Sequence, residues 1–296
     1  MRPYCAGGND LANMLALVRA AWLPERAPDA NFHIGDLCWR LRYPEHEQTL
    51  WLCEDDIGRL LAFAKWTAVE RSLEIQVHPA YADRGIDKQI LAWAEQQPEV
   101  GGDAAGAVTT TYACDLNVPF STFLADRGYA RQKNWMNAHR RSLASEIEAP
   151  HLPKGYIVRS LHGPEEMAAR AEAHRAGWQS TLMTEAAYGR LMRTPAYRLD
   201  LDFVVVASDG TIAANCNCWL DEQNGTGLFE PVSTHPDHRR KGLARAMLRF
   251  GMDCLRSLGA REAWVGSFSG NPVATRLYES CGMEIVRRDF CYKSRA

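Results

Sequence analysis

Residues 235–244 combine several features that suit a bound anion. Three consecutive cations stand at 239–241, and Gly242 and Ala244 follow them. The segment comes after a predicted strand and opens a predicted helix, so free backbone N–H groups and the positive end of the helix dipole meet there. Gly242 lets the backbone approach a ligand closely, and the small Ala244 leaves the first helical turn clear. This combination predicts an oligophosphate site.

The alternative is a solvated basic helix start. A helix N-terminus normally favours acidic residues, and three cations are unfavourable there without an anion, so we favour the anion site. The segment lacks the Gly-Lys-Ser/Thr ending of a P-loop, and no Gly-x-Gly-x-x-Gly follows a predicted strand. The two best-known phosphate-binding motifs are therefore excluded.

Two motifs in the second half of the chain resemble the GNAT acetyltransferase superfamily. Arg239-x-x-Gly242-x-Ala244, placed after a strand, is similar to the acetyl-CoA pyrophosphate loop of that superfamily. The segment that resembles its second motif is Asn271-x-x-Ala274-x-x-Leu277-Tyr278-Glu279-x-x-Gly282-Met283. The resemblance implies an α/β (α+β) fold with a mixed, mostly antiparallel twisted sheet flanked by helices. It also implies acetyl-CoA as co-substrate and direct transfer of acetyl to an amine.

The resemblance further implies which residues contact acetyl-CoA. Backbone groups of the strand before the loop pair with the pantetheine arm, loop N–H groups face the pyrophosphate, and a downstream asparagine faces the pantetheine. The residues so implicated are Val232, Thr234, Arg239, Arg240, Lys241, Gly242, Leu243, Ala244 and Asn271.

Tyr278 is a candidate general acid. It lies seven residues after Asn271, almost two helical turns, so both share one helix face. By the resemblance, Tyr278 protonates the departing CoA thiolate. A tyrosine with a pKa of about 10 is protonated at neutral pH, and a thiolate with a pKa of about 8.5 needs a proton only late in the reaction. The alternative is a core aromatic residue beside Leu277.

Glu230 is the candidate general base that deprotonates the amine. It lies on the strand that leads to Thr234, beside the predicted thioester and between Phe229 and Pro231. Partial burial there would raise the pKa of its carboxyl group towards neutrality. A strand-face ion pair, or binding of the substrate amine, remains an equal alternative.

The nine cysteines form no regular framework. A chain of 296 residues buries a core without disulfides, so reduced structural thiols are expected. Cys216, Cys218 and Cys281 have no activating base nearby in the sequence, which argues against an acyl-cysteine intermediate. His235 and His238 have no further ligands at zinc spacing, so no metal site is expected.

The chain repeats its own landmarks at offsets of 154 to 157 residues. The repeated positions are Trp22 and Trp178, His78 and His235, Gly85 and Gly242, Asn117 and Asn271, and Gly128 and Gly282. The protein is therefore a duplication of one unit of roughly 150 residues, a tandem GNAT arrangement that mycothiol synthase also has. Pro- and Glu-containing residues 144–154 read as a linker, which gives a first unit at 1–148 and a second at 153–296.

The elements follow the same order in both units. In the second unit we expect strands at 156–158, 201–207, 211–220, 227–233, 263–268 and 285–292, with helices at 164–178, 242–258 and from 272 to about 282. In the first unit we expect strands at 3–5, 50–53, 59–69 and 73–77.

The first unit has lost the residues that bind and react. Ala82 replaces the leading arginine of the loop, Asp87 stands where the second unit has Ala244, and Leu124 stands where it has Tyr278. A carboxylate at the helix start repels a pyrophosphate. We expect residues 1–148 to be a degenerate unit that buttresses the active one or closes its acceptor site.

Composition limits the remaining possibilities. A net charge of −2 argues against non-specific nucleic-acid binding, and no apolar run reaches the roughly 18–20 residues needed to span a bilayer. The N-terminus does not read as a signal peptide, so we expect a soluble, cytoplasmic protein. The leading hypothesis is an N-acetyltransferase that acts on a small-molecule amine. The competing class is a non-catalytic acyl-CoA sensor or scaffold, which would need neither Glu230 nor Tyr278.

Overall fold

The strands of this chain form one continuous sheet. The computed structural model describes residues 1–22, 32–47, 49–67, 71–96 and 108–294. The strands are β1 (Arg2–Pro3), β2 (Leu50–Glu54), β3 (Leu60–Thr67), β4 (Ser72–Val77), β5 (Thr110–Cys114), β6 (Tyr129–Ser142), β7 (Tyr156–Ser160), β8 (Asp202–Ala207), β9 (Ile212–Asp221), β10 (Thr226–Thr234), β11 (Glu262–Phe268) and β12 (Glu284–Ser294). Their order in the sheet is β1-β2-β3-β4-β5-β12-β6-β11-β10-β9-β8-β7.

The sheet is mixed and mostly antiparallel, as the sequence predicts. Within the described part of the chain, the two parallel pairs are β4 with β5 and β10 with β11, and the other neighbours run antiparallel. These parallel pairs occupy equivalent places in the two units, which fits a duplicated unit.

Helices cover the sheet. They are α1 (Asp10–Ala21), α2 (Ile34–Arg40), α3 (Pro44–Glu47), α4 (Ile86–Glu95), α5 (Val118–Asp126), α6 (Met167–Trp178), α7 (Glu185–Leu191), α8 (Leu243–Ser257) and α9 (Pro272–Glu279). The predicted helix at 164–178 is a 3₁₀ turn at Pro164–Glu166 followed by α6. Helices α2 and α7 are short, and they were not predicted from the sequence.

The two units exchange their last strands. β12 belongs to the second unit by sequence, yet it pairs with β5 of the first unit. β6 belongs to the first unit, yet it pairs with β11 of the second. The two exchanged strands also pair with each other at the centre of the sheet. The halves of the sheet are therefore related by a pseudo-twofold arrangement, and neither half is built from one unit alone.

Helix α8 shows how sequence pattern fixes the position of the loop before it. Its buried residues, such as Leu243, Met247 and Leu255, recur at helical spacing and pack on β9 and β10. Gly251 lies so close to the sheet that a Cβ atom would stand 2.6 Å from Cε1 of Phe229. This tight packing holds the first turn of α8 beside the end of β10.

The apolar core has a component that both units share. One cluster joins Met14 and Leu37 of the first unit to Tyr188, Trp219 and Trp264 of the second. Two further clusters each lie mostly within one half of the sheet. Burial of this shared surface fixes the two units against each other.

The predicted element boundaries agree with the observed ones to within a few residues for the strands of the second unit. In the first unit, the strand expected at 59–69 is observed as Leu60–Thr67, and positions 68 and 69 lie outside the described residues. The opening strand expected at 3–5 is observed at Arg2–Pro3. The ranges assigned to the two units, 1–148 and 153–296, stay predictions.

Candidate active site

The site begins where two parallel strands separate. β10 pairs with β11 only from Thr226 to Leu228, and a bulge follows in β10 between Phe229 and Val232. Beyond Leu228, no described strand pairs with the β11-facing edge of β10. Its backbone N–H and C=O groups are thus available to an extended ligand. Val232 and Thr234, predicted to contact the pantetheine, lie on this stretch and pair with β9 on the other side.

Two neighbouring cavities, which share five lining residues, lie beside the separated strands. The loop cavity, of about 630 Å³, runs along the start of α8 and the end of β10. The central cavity, of about 500 Å³, lies deeper and reaches the first unit. Residues that line both cavities are Trp178, Val232, Asn271, Ala274 and Tyr278. A single molecule can therefore extend from the loop into the centre of the protein.

The backbone of the loop is arranged as an anion site requires. Gly242 has φ +77° and Arg240 has φ +65°, so the chain turns sharply before α8 begins. Among the described residues, the N–H groups of 240–244 donate to no backbone or side-chain acceptor. Five such N–H donors stand at the positive end of a fifteen-residue helix, an arrangement that favours an anion; the pyrophosphate contact itself stays a prediction.

The cationic side chains of the loop do not all face the cavity. Arg239 lines it, and its guanidinium donates to the carbonyl oxygens of Thr234 (3.4 Å) and Gly177 (3.1 Å). The Nζ of Lys241 instead donates to the hydroxyl of Tyr156 at 2.9 Å, outside the cavity lining. Lys241 is thus placed to contribute its backbone N–H rather than its charge.

Further residues of the loop line the same cavity. They are Arg240, Gly242, Leu243 and Ala244, and their contact with a cofactor stays a prediction. Arg245 also lines it and was missed, because the motif assigns no residue type to that position.

Asn271 caps the N-terminus of α9. Its side-chain oxygen accepts a hydrogen bond from the N–H of Ala274 at 3.2 Å and so satisfies one of the free donors in the first turn of the helix. Asn271 stands at the junction of the two cavities, consistent with the pantetheine contact that the resemblance implies.

Tyr278 stands at the same junction, seven residues further along α9. It is only 6% exposed, and its ring meets the edge of the His139 ring at 5.3 Å between centroids. Burial raises the pKa of Tyr278, so its hydroxyl stays protonated throughout the physiological range. A protonated tyrosine beside the predicted thioester can donate a proton to a thiolate.

His139 brings the first unit into this region. It lies on the exchanged strand β6, and its Nε2 is 2.8 Å from the hydroxyl of Ser267 on β11. Ser267 lines the central cavity. The sequence carries no signal for this pair because its two members are 128 residues apart.

Glu230 lies at the bulge of β10. It lines the central cavity and also a third, inter-unit cavity of about 480 Å³, which is shared between the two units. Burial is the main reason that the pKa of Glu230 rises to about 8, and the negative charge of Asp36 adds to it. Arg40 and Arg42 act in the opposite direction. The carboxyl group therefore exchanges its proton near neutral pH, as a general base must.

The candidate thiols are buried. Cys216, Cys218 and Cys281 are at most 2% exposed, and burial raises the pKa of each. High thiol pKa values oppose the thiolate form, which is the nucleophile. These cysteines behave as structural residues.

Two further features are absent from the part of the chain that the structure describes. The described residues contain no group of three or more His, Cys, Asp or Glu side chains arranged to hold a metal ion. None of their helices combines the length and the apolarity that crossing a membrane requires.

The first unit keeps a cavity of about 550 Å³ at the equivalent place. Gly85 again has a positive φ, +63°, and Asn117 again caps the following helix through its side chain. Asp83 and Asp87 line this cavity, and burial raises the pKa of Asp87.

Sequence comparison relates the chain to known acetyltransferases. Residues 167–283 match the acetyltransferase (GNAT) family. The chain is 27% identical over 216 residues to the mycothiol acetyltransferase of Actinosynnema mirum, with 72% of this chain and 65% of that protein covered. It is 27% identical over 230 residues to the mycothiol acetyltransferase of Kineococcus radiotolerans, with 75% and 71% covered.

Solved structures share the whole architecture. A GCN5-related N-acetyltransferase from Sphaerobacter thermophilus superimposes with a TM-score of 0.66 at 19% identity, covering 96% of this chain and 93% of that one. A tandem GNAT protein from the clavulanic acid biosynthesis pathway gives a TM-score of 0.66 at 17% identity, covering 99% and 97%. At these identities the similarity concerns the fold.

Proposed function

We propose that acetyl transfer takes place in the second unit, residues 153–296. The premise is that the chain belongs to the GNAT superfamily of acetyl-CoA-dependent N-acetyltransferases and has its tandem architecture. The first unit, residues 1–148, then has no catalytic centre of its own and closes the acceptor side of the site. The observation that carries this proposal is the row of five unpartnered N–H groups at 240–244, which opens onto a cavity that continues to Tyr278 and Glu230.

In this proposal acetyl-CoA lies along the loop cavity. Its pyrophosphate accepts hydrogen bonds from the N–H groups of Arg240, Lys241, Gly242, Leu243 and Ala244, with the Arg239 guanidinium close by. Its pantetheine arm extends along the unpaired edge of β10, beside the backbone of Val232 and Thr234, and passes Asn271. The thioester then reaches the junction of the two cavities.

The acceptor amine enters from the central cavity. Glu230 takes a proton from the ammonium group, and the free amine attacks the thioester carbonyl carbon to form a tetrahedral intermediate. Its collapse breaks the C–S bond and keeps the new C–N bond. Tyr278 gives its hydroxyl proton to the departing sulfur and recovers a proton from the new amide nitrogen, which carries a surplus proton after the attack. The products are the neutral amide and the CoA thiol, and Tyr278 is protonated again.

The acceptor that fits is a small molecule. A volume of about 500 Å³ lies within the range of small-ligand sites, and the cavity is closed on one side by Trp39, Arg42 and Tyr43 of the first unit. Because relatives carry the name mycothiol acetyltransferase, mycothiol-related amines belong in the acceptor panel.

Release of CoA thiol in the presence of acetyl-CoA and a panel of small amines tests the proposal. We expect amine-dependent thiol release, and we expect no burst of thiol release when the amine is omitted, because transfer is direct. Tight binding of acetyl-CoA without thiol release for any amine would support the sensor or scaffold alternative instead.

A further inference from the structure

Arg42 is a charged residue of the central cavity to which the mechanism above gives no role. It belongs to the first unit and follows α2, yet it lines the same cavity as Glu230 and Tyr278 of the second unit. Its guanidinium and the Glu230 carboxyl group are close enough for each to influence the pKa of the other.

Two aromatic rings hold the guanidinium of Arg42. Its Cζ lies 4.1 Å from the ring centroid of Trp39 and 4.5 Å from that of Tyr43. Its Nη1 donates to the carbonyl oxygen of Trp39 at 2.5 Å. These contacts fix the orientation of the planar group and stabilise its charge through cation–π attraction.

The guanidinium nevertheless has no anionic partner. Its Nε is buried and has no hydrogen-bond acceptor, and no carboxylate of the described residues forms an ion pair with Arg42. Arg40, two residues earlier, shows the contrast, because it bonds both Asp36 (2.8 Å) and Glu74 (2.5 Å). Arg42 is therefore an oriented cation whose charge the protein leaves uncompensated within a ligand-sized cavity.

An uncompensated, partly buried guanidinium favours an oxyanion. Its planar N–H groups match the geometry of a carboxylate or phosphate, and charge-assisted hydrogen bonds of this kind are among the strongest that side chains form. Glu230 supplies the opposite charge in the same cavity. The pair thus offers one site for an ammonium group and another for an anion.

We propose that Arg42 binds an oxyanion group of the acceptor, so that the substrate is an amine that also carries a carboxylate or phosphate group. This inference rests on the proposed function, since it assumes that the acceptor occupies the central cavity. It assigns to the first unit a direct part in acceptor specificity.

The experiment compares acceptors that differ only in this charge. The pairs are β-alanine with β-alanine amide and 6-aminohexanoate with 6-aminohexanamide, and 3-aminopropylphosphonate adds a phosphate-like member. We expect the kcat/KM of the wild type to favour the better-fitting acid over its amide by about 10- to 100-fold. A preference for the phosphonate over both acids would identify phosphate as the natural group.

Arg42→Gln removes the charge, and Arg42→Lys keeps it without the planar fork. Arg42→Gln is expected to bring the ratio of kcat/KM for acid and amide close to one, with Arg42→Lys intermediate. Any change in the pKa of Glu230 affects both substrates alike and leaves this ratio unaltered. The matched control Arg59→Gln removes an exposed arginine of the first unit and should retain the full preference. Equal use of acid and amide by the wild type, or an equal loss for both in Arg42→Gln, would overturn the inference while leaving the proposed function intact.

A binding measurement distinguishes a failure of the anion-site inference from a failure of the proposed acetyl transfer. N-acetyl-β-alanine and its amide are titrated calorimetrically into the protein saturated with CoA. Even if no amine of the panel is acetylated, acid binding that is about tenfold weaker in Arg42→Gln than in the wild type supports the anion site. Equal binding of acid and amide to the wild type rejects it.

Discussion

The two units share the backbone geometry of the loop before the helix, but they differ in the side chains at its critical positions. Gly85 and Gly242 both adopt a positive φ, and His78 and His235 both accept a hydrogen bond from the N–H two residues on. Where the second unit has Ala244, the first has Asp87. The first unit thus keeps the backbone geometry that suits an anion, although the carboxylate of Asp87 would repel an anion there. Backbone geometry survives substitutions that remove a binding function, because it depends on glycine, caps and strand pairing.

The largest expected effect comes from exchanging the residues at the starts of the two equivalent helices, Ala244 in the second unit and Asp87 in the first. Ala244→Asp gives the second loop the carboxylate of the first and should weaken CoA binding by about 1,000-fold. A unit charge about 4 Å from a phosphate interacts with about 4 kcal/mol at an effective dielectric constant near 20. Isothermal calorimetry measures the affinity.

The reciprocal change, Asp87→Ala, is the control and should leave CoA binding at one site per chain. Nanomolar or micromolar CoA affinity retained in Ala244→Asp would show that the loop is not the pyrophosphate site.

The second difference between the units is the hydroxyl of Tyr278, which Leu124 replaces in the first. Tyr278→Phe should lower kcat about 100-fold, since the thiolate then departs without a positioned acid. CoA affinity should change less than threefold because the ring remains. Leu124→Met, a conservative change at the equivalent place, should leave kcat unaltered. Normal turnover in Tyr278→Phe would remove this residue from the mechanism.

The raised pKa of Glu230 predicts how kcat/KM depends on pH. Because the pKa of its carboxyl group is raised to about 8, the base form increases with pH, and kcat/KM should rise up to about pH 8 and then level off. Glu230→Gln should lower kcat/KM by about 10- to 100-fold and remove the inflection. A pH profile that keeps its inflection near 8 in Glu230→Gln would assign the titration to another group.

The smallest expected effect concerns packing under the two equivalent helices. Gly251 in α8 corresponds to Ala94 in α4, and Phe229 leaves no space for a Cβ atom at position 251. Gly251→Ala should lower the free energy of unfolding by about 1–3 kcal/mol, measured by urea denaturation. Gly7→Ala, where no atom lies within 4 Å of the added Cβ, should change it by less than about 0.5 kcal/mol. Equal effects of the two substitutions would contradict this reading of the packing.

Sequence predicts best what local geometry fixes. The turn at Gly242, the cap at Asn271 and the strand before them are each set by residues a few positions apart, whereas the mixed sheet was expected from the GNAT resemblance. Tyr278 belongs to the second motif and Glu230 to neither motif; both line the central cavity, and their catalytic roles stay predictions. Each of these signals lies within one contiguous segment of the chain.

Features that depend on contacts between the units were not predictable. Arg42 follows a helix of seven residues that has no clear periodic signal, and only tertiary packing brings it beside Glu230. The strand exchange was equally hidden, because β6 and β12 are long strands from equivalent places and the pattern of each fits either neighbour. The repeat offset identifies equivalent strands in the two units. It does not show whether a strand pairs within its own unit or with a strand of the other unit.

The exchange of β6 and β12 also makes each unit depend on the other for its sheet. Deleting residues 1–148 would remove the strand that lies against β11 and, with it, His139 beside Ser267. It would also leave β12 without β5 and expose the apolar surface around Trp219 and Trp264 to water. A first unit without a catalytic centre, as proposed above, would therefore still be needed for the second unit to fold, and a gene shortened to the second unit would encode an incomplete sheet.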